Sequence, residues 1–148
     1  TDRVQKQVSA TTDWDALVDQ VAEGPPLYSP FKLLDPIANV AEMFIHHEDV
    51  RRAQPNWEPR PLDDHTVAAL RRPVGMMSRL TLRRAPATVV LKTPQGERLA
   101  TVGRGPTLTV IGEPGELLLF ITGRDEAQVE FDGPPELVTQ VKAARGGL

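Results

Sequence analysis

The chain has 148 residues, enough for one ordinary domain or two small ones, and its 40% apolar and 25% charged residues make a globular rather than a disordered composition. The formal charge is -3, with 12 acids and 8 bases in residues 1–74 and 8 and 9 in residues 75–148, so neither half has the basic excess expected of a nucleic-acid binder. No apolar run approaches 18 residues, no basic-then-apolar leader is visible, and cysteine is absent, so a membrane span, a disulfide, a thiolate zinc site and a cysteine nucleophile are not expected and a cytoplasmic location is.

The chain opens at Thr1, inside a run that already reads as helix, and is expected to be a piece of a longer protein. Thr1–Ser9 reads as the end of one helix, and Thr12 or Asp13 can cap a second through Glu23 with Leu17, Val18 and Val21 as its apolar stripe. Gly24-Pro25-Pro26 stops that helix, and Leu27–Leu34 reads as a loop. A third helix is expected from an Asp35 N-cap and Pro36 to about Gln54, where Pro55 forbids continuation. Ile37, Val40, Ala41 and Phe44 form its core face. A proline-punctuated loop leads to a fourth helix from Asp63 or Asp64 to about Arg84, with Pro73 as the place for a kink or break.

The texture then changes. Ala87–Lys92 reads as a strand, Pro94-Gln95-Gly96 as a turn, and Arg98–Val102 as the hairpin partner. Leu108–Ile111 is a third strand, Glu116–Thr122 a short apolar helix closed by Gly123, Gln128–Phe131 a fourth strand and Pro134–Ala144 a terminal helix. The reading is α+β, with a helical part over 1–84 and a β-β-β-α-β-α part over 85–148.

The densest polar constellation is Glu42-Met43-Phe44-Ile45-His46-His47-Glu48-Asp49. Glu42 and His46 are four apart and project from one helix face, with Asp49 close to it. A carboxylate and an imidazole one turn apart form a common metal half-site that needs a third ligand. The same spacing also serves a plain hydrogen bond on a bundle helix. His47 points about 100° away from His46, and His65 reads as a surface or capping residue. Arg51 and Arg52 suit the negative end of a helix dipole. Trp14 and Trp57 read as core or loop anchors, and Gly103-Arg104-Gly105 lacks the helix and lysine of a phosphate loop. Arg124, just after Gly123, reads either as structural or as facing a cleft between the two parts.

Two runs carry a resemblance. Asn39–Gln54 (NVAEMFIHHEDVRRAQ) with the following Pro55–Pro61, and Val110–Arg124 (VIGEPGELLLFITGR), resemble an actinobacterial branch of the mycothiol-dependent maleylpyruvate isomerase-like proteins. The resemblance covers essentially the whole chain and implies a DinB-like helical bundle followed by a sterol-carrier-protein-like α+β domain. It also implies a divalent metal, usually zinc, held by the Glu-x-x-x-His pair, here Glu42 and His46, and by a histidine of an earlier helix. No histidine precedes His46, so the bundle reads as lacking its first helix, which favours homo-oligomeric association or domain swapping.

What the resemblance implies about function is a metal- and thiol-dependent transferase or isomerase acting on a small electrophilic substrate. The metal would activate mycothiol or a similar thiol. Asp49 would orient or act as a base, and Arg124 would bind a substrate carboxylate. Two other readings stand beside it. One is a metal-binding stress protein without turnover. The other is an apolar-ligand module with Met76, Met77, Leu80 and Leu82 along its pocket.

Overall fold

In the computed structural model, which describes residues 30–146, helix α1 (Pro30–Arg52) is built on the 3–4 spacing of its apolar residues. Ile37, Val40, Ala41, Phe44 and Ile45 are buried, and the same stripe continues into two charged residues, Glu48 and Arg52. The expected helices over 1–9 and 12–23 lie outside the described residues. The expected start of α1 is corrected: Asp35 and Pro36 do not open the helix, which begins at Pro30, with Pro36 inside it. Pro30 already meets the N-terminal preference for proline. Pro36 lacks only one N–H of a ladder otherwise continued on both sides.

Helix α2 (Asp64–Thr81) has Asp63 as its N-cap, whose Oδ1 accepts from the Thr66 N–H at 2.7 Å. This hydrogen bond holds the Asp63 carboxyl below its ordinary range. The helix ends at Thr81 rather than near Arg84, and Pro73 lies buried within it without ending it. Strands β1 (Thr88–Lys92), β2 (Arg98–Gly103) and β3 (Thr107–Ile111) follow, then α3 (Pro114–Ile121), β4 (Glu130–Asp132) and α4 (Pro135–Ala144). Among the described residues the protein is thus α+β, with four helices and one four-stranded mixed sheet. None of these helices is long and apolar enough to cross a membrane.

The strand order is β2-β1-β3-β4, antiparallel at β1–β2 and β3–β4 and parallel at β1–β3. Because β2 and β3 flank β1 on opposite sides, the short link from β2 to β3 must pass over the start of β1. Gly103 makes that crossing at φ +93, where a Cβ would stand 2.2 Å from the Ala87 carbonyl oxygen. Only glycine fits both the angle and the approach. Val89 and Leu91 of β1 and Leu108 and Val110 of β3 point to the helices, and Leu117–Ile121 of α3 are buried on every side. These residues join the α1 and α2 stripes in one apolar cluster, which makes α3 the central element.

Candidate functional site

The C-terminal half of α1 meets the end of α3 through side chains, and the local sequence shows how. Helix α3 ends in a Schellman turn: Gly123, at φ +96, donates to Phe120 O at 3.1 Å, and the Arg124 N–H donates to Leu119 O at 2.9 Å. The buried Thr122 hydroxyl donates back to Leu118 O at 2.8 Å and fixes the last turn. The left-handed glycine redirects the chain so that Arg124 emerges toward α1. Its Nε donates to Asp49 Oδ1 at 3.2 Å and its Nη2 to Asp49 Oδ2 at 2.9 Å. Its Nη1 donates to Thr122 O at 2.6 Å. The structure therefore brings together Asp49 and Arg124, 75 residues apart, as a two-point guanidinium–carboxylate pair.

Glu42 and His46 lie on the same helix. Both are exposed, and among the described residues neither side chain makes an ion pair or a hydrogen bond. Glu42 and Asp49 are seven residues apart, which returns them to within about 20° of one direction, and His46 lies about 40° from Glu42 on the side away from Asp49. The half-buried Asp49, four residues after the buried Ile45, therefore borders the core stripe, and the exposed Glu42 and His46 adjoin it on the solvent side of α1. Among the described residues no three histidines, aspartates or glutamates converge in a way that would hold a metal ion. One imidazole and one carboxylate, open and a turn apart, suit a divalent cation as a half-site. The remaining coordination is not supplied by described residues.

His47 is exposed on a different side of α1. Partial desolvation and the nearby Arg60 and Arg51 hold it below the ordinary histidine range, against the opposing pull of Glu48. His65 is exposed in the first turn of α2 and has an interaction of its own. Trp57 is half-buried, with the Arg52 guanidinium 4.6 Å above its ring, an anchoring role in keeping with the sequence reading.

A second polar group, centred on Glu48, is absent from the sequence reading. The Glu48 side chain is 1% exposed. Its Oε2 accepts from Arg51 Nη1 at 2.8 Å and Arg52 Nε at 3.0 Å, and its Oε1 from Arg60 Nε at 2.7 Å. Burial alone would raise this carboxyl, but the hydrogen bonds of Arg60 and Arg52 and the charges of Arg60 and Arg51 outweigh it and hold it below the ordinary range. Arg52 continues the chain of contacts to Glu116 of α3, at 2.8 Å and 2.6 Å, and to the Glu126 carbonyl at 3.0 Å. Burial would lower its guanidinium, but Glu116 and Glu48 raise it instead. Arg52 thus does more than answer the helix dipole: it bridges two carboxylates. Glu116 in turn accepts from the Gln128 N–H at 2.9 Å, so the loop after α3 is pinned at both ends of this network. The sequence signal was present: Glu48 and Arg52 are four apart and extend the Phe44 stripe.

Comparison of the chain with protein-family models, with curated proteins and with solved structures returned no match.

Proposed function

We propose that this chain belongs to a metal- and thiol-dependent transferase or isomerase, with a DinB-like bundle contributing α1 and a sterol-carrier-like part contributing the sheet and α3. The observation that carries this reading is that Arg124, from the C-terminal part, arrives on the same side of α1 as the open Glu42–His46 pair. Glu42 and His46 would be two ligands of a divalent metal, zinc in the first instance. Coordination to such a metal lowers the pKa of a small thiol such as mycothiol, so that thiolate is present at neutral pH.

The chain's own residues then have separable tasks. Arg124 already holds a carboxylate in the two-point geometry that an acidic electrophile would offer. Asp49 occupies that position, and a substrate carboxylate takes it by exchange. The released Asp49 carboxylate, three residues beyond His46, is then free to orient the substrate or accept a proton. The Glu48 network keeps the end of α1 fixed against α3 during the exchange.

The test is thiol-dependent turnover of a small electrophilic acid with a divalent metal present. Arg124→Ala is expected to raise KM by about tenfold or more while leaving metal content unchanged, since one charge-assisted carboxylate contact is lost. Metal loss in that variant, or unchanged KM, counts against the assignment of Arg124. Turnover without any thiol counts against the reaction class.

A further inference from the structure

The small net charge of the chain conceals a strong division. Residues 71–104 hold eight bases and one acid, whereas residues 113–136 hold seven acids and one base. The fold places β2, from the first stretch, and β4, from the second, at opposite edges of the sheet, as its outer strands.

At the first edge, α2 runs alongside β2. Arg71 Nη1 meets Glu97 Oε1 at 2.5 Å, and a Cβ on Gly75 would stand 3.8 Å from Leu99 O. Arg72 and Arg79 are exposed seven residues apart on one stripe of α2, and Arg98 and Arg104 are exposed at the two ends of β2. None of these four has an ion-pair or hydrogen-bond partner among the described residues. At the second edge, Glu130 and Asp132 of β4 are exposed, with the exposed Glu126 and Glu136 flanking the strand. The registers Lys92↔Arg98, Lys92↔Ile111, Ile111↔Glu130 and Thr109↔Asp132 put Arg98, Glu130 and Asp132 on one face of the sheet, the face away from Val89 and Leu91.

Charges on edge strands commonly guard against sheet-to-sheet addition. Here the guard is selective. Basic edge against basic edge repels, and so does acidic against acidic, but basic against acidic attracts. Strands β2 and β4 also point the same way, since each is antiparallel to one member of the parallel β1–β3 pair. A second copy displaced along the sheet therefore brings its β4 beside β2 with Glu130 and Asp132 on the Arg98 face. We propose that copies of this chain associate head to tail, the basic α2–β2 edge of one against the acidic β4 edge of the next. The contact uses two different surfaces, so it builds open chains or rings rather than a two-fold dimer. A polyanion is the rival occupant of the basic edge, but residues 71–104 contain no aromatic side chain on which bases could stack. The complementary acidic surface is present on every copy.

Sedimentation velocity on the 148-residue chain tests this, with two charge-reversed variants, Arg98→Glu/Arg104→Glu and Glu130→Arg/Asp132→Arg. The wild-type sedimentation coefficient is expected to rise with protein concentration at about 50 mM salt and to fall to the monomer value at about 0.5 M. Each variant alone should associate at least about tenfold more weakly, and an equimolar mixture of the two should recover a complex. All four substitutions are on exposed side chains, and circular dichroism verifies that the variants fold. A wild-type chain that stays monomeric at low salt overturns the proposal. So does association that persists in both variants, a mixture that recovers nothing, or a basic edge that binds heparin while the chain remains monomeric.

Discussion

Glu48 is the residue on which the end of α1 depends, because one buried carboxylate satisfies three arginines. Removing it leaves the buried Arg52 without one of its two carboxylates, so Glu48→Ala is expected to lower stability by about 3 kcal/mol in denaturant unfolding. The pH dependence has a definite sign. The folded carboxyl lies below its ordinary value of 4.5, so its contribution is complete above that value and is lost as pH falls through the folded pKa. Glu48→Gln should therefore flatten the acid limb of the stability curve; an unchanged acid limb would remove Glu48 as its source. His46 is the contrasting case, exposed and outside this network, so His46→Ala should leave the thermal unfolding midpoint within a few degrees of wild type. The sequence distinguished these positions only in part. Spacing separates Glu42 and His46 from the core face and puts Glu48 and Arg52 on the continuation of the Phe44 stripe, but it gives no sign of the partners that come from outside α1. Arg60 sits 12 residues away, and Glu116 lies 64 beyond Arg52.

At the level of elements, two glycines decide where side chains can go. Gly103 permits the crossing over β1, and Gly123 directs Arg124 toward Asp49. Gly96, in the β1–β2 turn, has a similar positive φ but open space around it. Gly96→Ala is accordingly expected to cost about 1 kcal/mol for the backbone alone, and Gly103→Ala at least about 2 kcal/mol because a carbonyl must also move. Equal thermal shifts in the two variants would show that the close approach to Ala87 carries no weight. Turn chemistry made the elements from β1 to α4 legible to within two residues at each end. The start of α1 was not legible, since proline at 30 and proline at 36 both carry a start signal and local preference cannot rank them. Pro73 posed a similar ambiguity, settled by its burial against the core rather than by anything local.

Across the whole molecule, the apolar cluster and the polar bridge make the same connection between α1 and α3. Phe44 and Ile45 pack in one cluster with Leu117–Ile121, and Arg52 and Asp49 reach Glu116 and Arg124 beyond it. This arrangement places Arg124 without placing Glu42 and His46 in the bridge, which leaves the latter two open on the outer side of α1. The α+β class was legible in the change of periodicity near residue 85. The Asp49–Arg124 pairing was not, because it depends on the Schellman turn and on the packing of α3 rather than on any local pattern.

The central claim is that Glu42 and His46 hold a divalent metal. Its most direct measurement is zinc stoichiometry, by equilibrium dialysis and elemental analysis, on the wild-type chain beside His46→Ala and Arg124→Ala. The expected result is weak but measurable zinc binding of equal extent in the wild type and in Arg124→Ala, with most of it lost in His46→Ala while all three remain folded. Zinc retained in His46→Ala to the wild-type level, or none bound by any of the three, would contradict the claim and leave Glu42 and His46 as ordinary surface residues of α1.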